Sequence, residues 1–219
     1  MINGNTARQC DCMHERRIKR LMSASNITED FKKIGFGTFD VNKVHPRALE
    51  TAKEAFKKSM EYYKRFDEIK SLRSNSIALL GQSGAGKTHL LIAISNNLLR
   101  KSVEVLYFPY KEGFDDLKKN FDELERKINR MQNAQVLFID DLFKGRTQVT
   151  DFQIETMFGV INYRYLNHLP ILVSSEKTFD MMIDIDEAIA SRLYEMSKDF
   201  KVIYKGKELN YRFKDMYMG

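Results

Sequence analysis

Short, uninterrupted apolar runs alternate along the chain with longer stretches of helical period. The runs are Ser76-Ile77-Ala78-Leu79-Leu80, Val103 to Phe108, Gln135 to Asp141 and Pro170 to Glu176, with Lys201-Val202-Ile203-Tyr204 as a shorter fifth. Runs of this length, rich in β-branched and aromatic residues, predict strands, and a run apolar throughout predicts a strand covered on both faces. Between the second and third, Leu117, Phe121, Leu124, Ile128 and Met131 recur at steps of four and three, predicting an amphipathic helix over 115–131. Pro46 marks the start of another, Arg47 to Phe66, with Ala48, Ala52, Ala55, Phe56, Met60 and Tyr63 largely on one face. Further helices are expected from His89 to about Arg100, over 151–168, and from Ala188 to Met196. Strands alternating with helices imply βαβ units, right-handed crossovers and a parallel sheet, so the fold class is α/β with five parallel strands.

The amino end reads differently. Residues 1–13 are polar, and His14 to Ser23 reads as a short basic helix, with Arg16, Arg17, Lys19 and Arg20 around Ile18, Leu21 and Met22. Asn26 to Phe31 resembles a turn and Gly35 to Asp40 an extended lead into the main domain. The expected division is therefore an arm and linker over 1–40 and one large domain over 41–219.

Composition narrows the class. Lys and Arg outnumber Asp and Glu by 36 to 30, a charge of +6 that is compatible with a polyanionic partner without demanding one. No apolar run approaches the roughly 18 residues of a membrane span, and no signal-like segment opens the chain, so a cytoplasmic protein without membrane contact is expected. The two cysteines, Cys10 and Cys12, are too close for an ordinary structural disulfide. With His14 they are a zinc half-site at most, because a second ligand pair is missing.

Gly81-Gln82-Ser83-Gly84-Ala85-Gly86-Lys87-Thr88 fits the pattern G-x-x-x-x-G-K-[ST], between a predicted strand and a helix opening at His89. Its glycines let successive backbone N–H groups converge on phosphate oxygens, and the helix start adds unpaired N–H groups and a positive dipole end. Lys87 is placed to reach the β- and γ-phosphates and the Thr88 hydroxyl to bind Mg²⁺. Downstream, Val136 to Asp141 delivers two carboxylates at a strand's carboxyl end, with Asp140 expected to hold Mg²⁺ and Asp141 to orient the attacking water. Pro170 to Glu176 also ends in polar side chains suited to sensing a γ-phosphate, and Ser174, Ser175 and Glu176 are the candidates.

The order of these motifs resembles the AAA+ ATPases, and more narrowly the DnaC/DnaI replicative-helicase loaders and their phage-encoded relatives. The resembling pieces are Gly81 to Thr88 with the following His-Leu, "VLFIDDL" from Val136, "PILVSSE" from Pro170, "ASRLYEM" from Ala190, and "KGKELNYR" from Lys205 to Arg212, similar to the family's closing strand and Tyr-Arg. The resemblance implies an AAA+ domain without a helical lid that binds ATP and Mg²⁺ and hydrolyses ATP. Its implied partners are a replicative hexameric helicase, single-stranded DNA and further copies of itself. It implies that Arg192 is a finger reaching a neighbour's γ-phosphate, that Ser175 is the sensor, and that Tyr110, Lys111 and Phe114 contact single-stranded DNA, with a plain core aromatic as the alternative for Phe114. It also implies that Cys10 and Cys12 are the remnant of a zinc-binding helicase-docking module. An IstB-type transposition helper shares this core, but its acidic strand usually ends in Asp-Glu and not in Asp140-Asp141. A nucleotide-gated adaptor that hydrolyses little is a further alternative.

Overall fold

A computed structural model describes residues 11–119, 123–145 and 149–213. A helix, α1 (Asp11–Ala24), and a single turn, α2 (Glu29–Lys32), precede the long α3 (Leu49–Ile69). The alternating core follows: β1 (Ile77–Gly81), α4 (Lys87–Arg100), β2 (Val105–Pro109), α5 (Tyr110–Lys119), α6 (Leu124–Asn133), β3 (Val136–Asp140), α7 (Asp151–Leu166) and β4 (Ile171–Ser175). The short α8 (Phe179–Ile183), α9 (Glu187–Met196) and β5 (Lys201–Tyr204) complete it. The five strands form one parallel sheet in the order β2-β3-β4-β1-β5, as the apolar runs predict.

The strands lack polar alternation because both faces are covered. Successive strand residues point to opposite sides. Ile77, Leu79, Tyr107, Phe138 and Leu172 pack against α3 and α4, whereas Ala78, Leu80, Leu106, Ile139 and Val173 pack against α5, α7 and α9. At the amino end of the sheet, Arg164 on α7 is fully buried and donates to the carbonyls of Met131, Gln132, Ala134, Gln135 and Pro170. One side chain thereby ties the end of α6 to the starts of β3 and β4.

Described residues ahead of position 41 pack onto the same body. Ile27 is buried in the core beside Leu21, Met22 and Phe31. The backbone N–H of Tyr107, on edge strand β2, donates to the Ser25 carbonyl at 2.8 Å, and Asn96 of α4 donates to the carbonyls of Phe31 and Ile34 at 2.8 and 2.7 Å. An edge that would otherwise expose unpaired donors is thus partly closed.

Several boundaries differ from expectation. The single helix predicted over 115–131 is two: α5 begins directly after Pro109, and α6 begins at Leu124. Leu117 of α5 and Leu124, Ile128 and Met131 of α6 pack on the same sheet face, which gives the two helices one shared apolar stripe. Gly35 to Asp40 is not extended but includes a 3-10 turn at Phe36–Thr38, closed by Thr38 bonding back to Gly35. Lys205 to Arg212 forms no further strand; it carries two 3-10 turns, Lys207–Leu209 and Tyr211–Phe213, and Leu209 is buried. The helix expected over Arg47 to Phe66 begins after a 3-10 turn at Pro46–Ala48 and runs on to Ile69. Cys10 lies outside the described residues. Among those described, no group of three or more His, Cys, Asp and Glu is placed to hold a metal, and no helix is long and apolar enough to cross a membrane.

Candidate nucleotide-binding site

The phosphate loop leaves β1 at Gly81 and enters α4 at Lys87. Gly84 and Gly86 adopt φ of 72° and 84°, a region favouring glycine. A Cβ on Gly86 would stand 2.6 Å from the Phe39 ring, and one on Gly84 would collide with the Asn210 side chain. The chain before the core and the chain after β5 therefore both press on the loop. The Tyr211 N–H donates to the Gly84 carbonyl at 3.0 Å. A cavity of about 440 Å³ opens over Ser83 to His89, walled by Phe39 and Val44 on one side and by Leu209 and Tyr211 on the other. His89 approaches the Thr38 hydroxyl at 2.9 Å and meets the Phe39 ring edge-on, and burial lowers its pKa.

Lys87 is 5% exposed, and its Nζ donates to the carbonyls of Gly81 at 2.9 Å and Gln82 at 2.7 Å. Burial lowers its pKa, against the opposing pull of Asp141 and Glu176. The ammonium is thus held at the loop by neutral carbonyls, which a phosphate oxygen can replace with a stronger charge-assisted bond.

Beside it the Thr88 hydroxyl donates to Asp140 Oδ1 at 2.8 Å, the Ser174 hydroxyl to the same oxygen at 2.5 Å, and the Tyr107 hydroxyl to Oδ2 at 3.1 Å. Burial raises the Asp140 pKa, and the hydrogen bonds from Ser174 and Thr88 oppose it. A threonine hydroxyl and a buried carboxylate in contact at the start of α4, beside a backbone cradle, are the oxygen donors that Mg²⁺ accepts with a nucleotide. Thr88 and Asp140 would hold that ion, which when bound would supply positive charge to the β- and γ-phosphates.

The structure separates the two serines named as sensor candidates. Ser174, and not Ser175, faces Asp140. Ser175 Oγ instead donates to the Leu142 carbonyl at 2.6 Å and accepts from the Lys177 N–H at 3.0 Å. Strand parity is the reason: Tyr107, Asp140 and Ser174 continue the rows of Val105, Phe138 and Leu172, the face that α4 covers. Ser175 continues the row of Val173 to the other side. The same parity, read with the strand pairing, would have revealed Tyr107, which the sequence reading passed over.

The proposed DNA contacts are also corrected in part. Tyr110 and Phe114 are each 1% exposed, edge-on to one another at 5.0 Å and packed with Phe143 and Phe152. They are core aromatics with no face for a base; Lys111 is exposed. Asp141 lies at the cavity mouth with its Oδ2 2.6 Å from Lys144 Nζ, a residue the motifs did not single out. Arg192 is on α9, away from the cavity lining. Its Nε donates to Asn162 Oδ1 at 2.9 Å, and its guanidinium lies 5.2 Å from the Phe158 ring centre and 5.5 Å from that of Tyr165.

The family description "IstB-like ATP binding protein" matches residues 13–196. YqaM of Bacillus subtilis (strain 168) is 52% identical over 215 residues, covering 95% of this chain and 67% of that protein. The phage-like element PBSX protein XkdC of the same organism is 53% identical over 209 residues, covering 93% of this chain and 77% of that one. The crystal structure of the DnaC helicase loader is similar in fold, with a TM-score of 0.62 at 22% identity over 78% of this chain and 98% of that one.

Proposed function

The chain belongs to the IstB-like ATP-binding protein family, and on that premise we propose that it is an ATP-driven loader that places a replicative hexameric helicase on single-stranded DNA. One observation carries the reading: Lys87, Thr88, Asp140 and Asp141 gather at one nucleotide site, while Arg192 stands off it on α9. A site with its own metal ligands and water-side carboxylate, but with its arginine facing elsewhere, suits a subunit whose hydrolysis is completed by a neighbour. Asp141 would orient the attacking water, and Arg192 would reach the γ-phosphate of the adjacent copy, where a planar cation stabilises charge in the transition state. The helicase ring would supply the assembly. The fold shared with the DnaC helicase loader supports this reading, as does a relative from a phage-like element.

For single-stranded DNA, Lys111 and the α1 residues Arg16 and Arg20 are among the exposed cations. They would follow the phosphate backbone without reading sequence. An IstB-type transposition helper is the competing reading, favoured by the family description and opposed by Asp141 where that type usually carries Glu.

The test is co-elution. With ATP present, the chain is expected to elute with the replicative hexameric helicase of its host and not with a transposase. Binding to the transposase alone would overturn the loader reading. Retention of ATP binding in that case would leave the nucleotide site standing.

A further inference from the structure

We propose that Lys144 is a positioning residue of the hydrolytic site, holding the Asp141 carboxylate at the mouth of the phosphate cavity. The inference rests on the ATPase reading above and adds to it a residue that neither the phosphate loop nor the acidic strand predicts.

The turn that presents Lys144 is fixed at nearly every position. Asp141 and Phe143 both adopt left-handed backbone, with φ of 56° and 60°, a costly conformation for residues with side chains unless the surroundings impose it. Three bonds to the end of β4 impose it here. The Asp141 N–H donates to Ser174 Oγ at 2.8 Å, the Leu142 N–H to the Ser174 carbonyl at 2.8 Å, and Ser175 Oγ to the Leu142 carbonyl at 2.6 Å. Leu142 and Phe143 are buried, and the Lys144 N–H closes the turn on the Asp141 carbonyl at 3.0 Å.

What emerges from this clamp is the Lys144 side chain, whose Nζ lies 2.6 Å from Asp141 Oδ2 and 3.6 Å from Glu176 Oε1. It lines the same cavity as Lys87 and Thr88. Asp141 lines that cavity and Glu176 lies within reach of the same ammonium, and two carboxylates so placed would repel one another. A cation bridging them removes that repulsion and fixes one rotamer of Asp141. Lys144 acts through Asp141, so its contribution belongs to the chemical step and not to nucleotide affinity.

The test compares the parent chain with Lys144→Met, Lys144→Gln and Lys144→Arg, using helicase and single-stranded DNA for turnover and fluorescent ADP for binding. Lys144→Met and Lys144→Gln are expected to lower kcat about 10-fold or more, with KM for ATP and the affinity for ADP within about 3-fold of the parent. Lys144→Arg, which keeps the bridging charge, should stay within about 3-fold in kcat. Lys144 is 42% exposed in its side chain, so a fold loss is not expected, and Lys144→Gln repeats the test if the Met variant aggregates. Unchanged kcat in both neutral variants overturns the proposal while leaving the ATPase reading intact. A raised KM with unchanged kcat also overturns it, making Lys144 a phosphate-binding cation. A parent chain that binds ADP yet turns over no ATP overturns both readings together.

Discussion

Two buried cations stand at opposite ends of the sheet, Arg164 at the amino ends of the strands and Lys87 at the carboxyl ends, and both bond to backbone carbonyls. Arg164 is 0% exposed and Lys87 5%. Burial pulls both pKa values down, that of Arg164 to about 9, which still leaves it charged at neutral pH. The difference lies in saturation. Arg164 reaches five carbonyls from three segments of chain, and its planar fork fits them as a set. Lys87 holds two carbonyls, both of its own loop, through a point charge on a flexible stem. A cation whose two terminal nitrogens are taken up by five carbonyls is architecture, and one held by two carbonyls beside a cavity can exchange them for a ligand.

Breaking the first should give the largest effect. Arg164→Met fills similar volume but leaves buried carbonyls without donors, each costing about 1–3 kcal/mol. A total loss of at least about 3 kcal/mol is expected in denaturant unfolding, with nucleotide affinity unchanged in the fraction that stays folded. Stability within 1 kcal/mol of the parent would remove the contrast. Breaking the second should do the reverse. Lys87→Ala is expected to lower ATP turnover by about 100-fold or more while stability stays within about 1 kcal/mol, because it removes a buried charge along with its two bonds. Loss of folding in this variant would make Lys87 as structural as Arg164.

The two cations also differ in how far the sequence discloses them. Lys87 is legible because a glycine-rich loop between an apolar run and a helix needs a specific chemistry. The five strands are legible too, since burial on both faces leaves a run with no polar interruption. Arg164 is invisible: an arginine in a helix that otherwise reads as half apolar looks solvated, and only the meeting of α6, β3 and β4 at one point supplies its acceptors. The walls of the cavity fail to appear for a related reason. Phe39 comes from one end of the chain and Leu209 and Tyr211 from the other, all converging on the loop, and no local period records convergence.

Next in size is the serine pair on β4, which sharpens the contrast between architecture and site within two adjacent residues. Ser174→Ala removes a bond to Asp140 and one from the Asp141 N–H, so about a 10-fold fall in turnover is expected, with about 1–2 kcal/mol of stability. Ser175→Ala removes only the staple to Leu142, so a stability loss of about 1 kcal/mol with turnover within about 3-fold is expected. If the two results came out exchanged, Ser175 would regain the sensor role.

The smallest effect tests how finely the carboxyl end of the sheet is tuned. The Tyr107 ring packs against Phe138 at 5.1 Å and Phe31 at 6.0 Å, contacts that Tyr107→Phe retains, so the variant removes little besides the hydroxyl bonded to Asp140 Oδ2. That bond fixes the carboxylate from the side opposite Thr88 and Ser174. Losing it costs about 1 kcal/mol of orientation, which corresponds to roughly a fivefold rise in the Mg²⁺ concentration needed for half-maximal ATP turnover. At saturating Mg²⁺ the parent rate should return, because Thr88, Ser174 and Asp140 remain in place. A rate depressed equally at every Mg²⁺ concentration would mean that Tyr107 acts elsewhere than on the Asp140 carboxylate. The residue would then belong with Arg164 among the groups that build the sheet and not with Lys87 among those that use it.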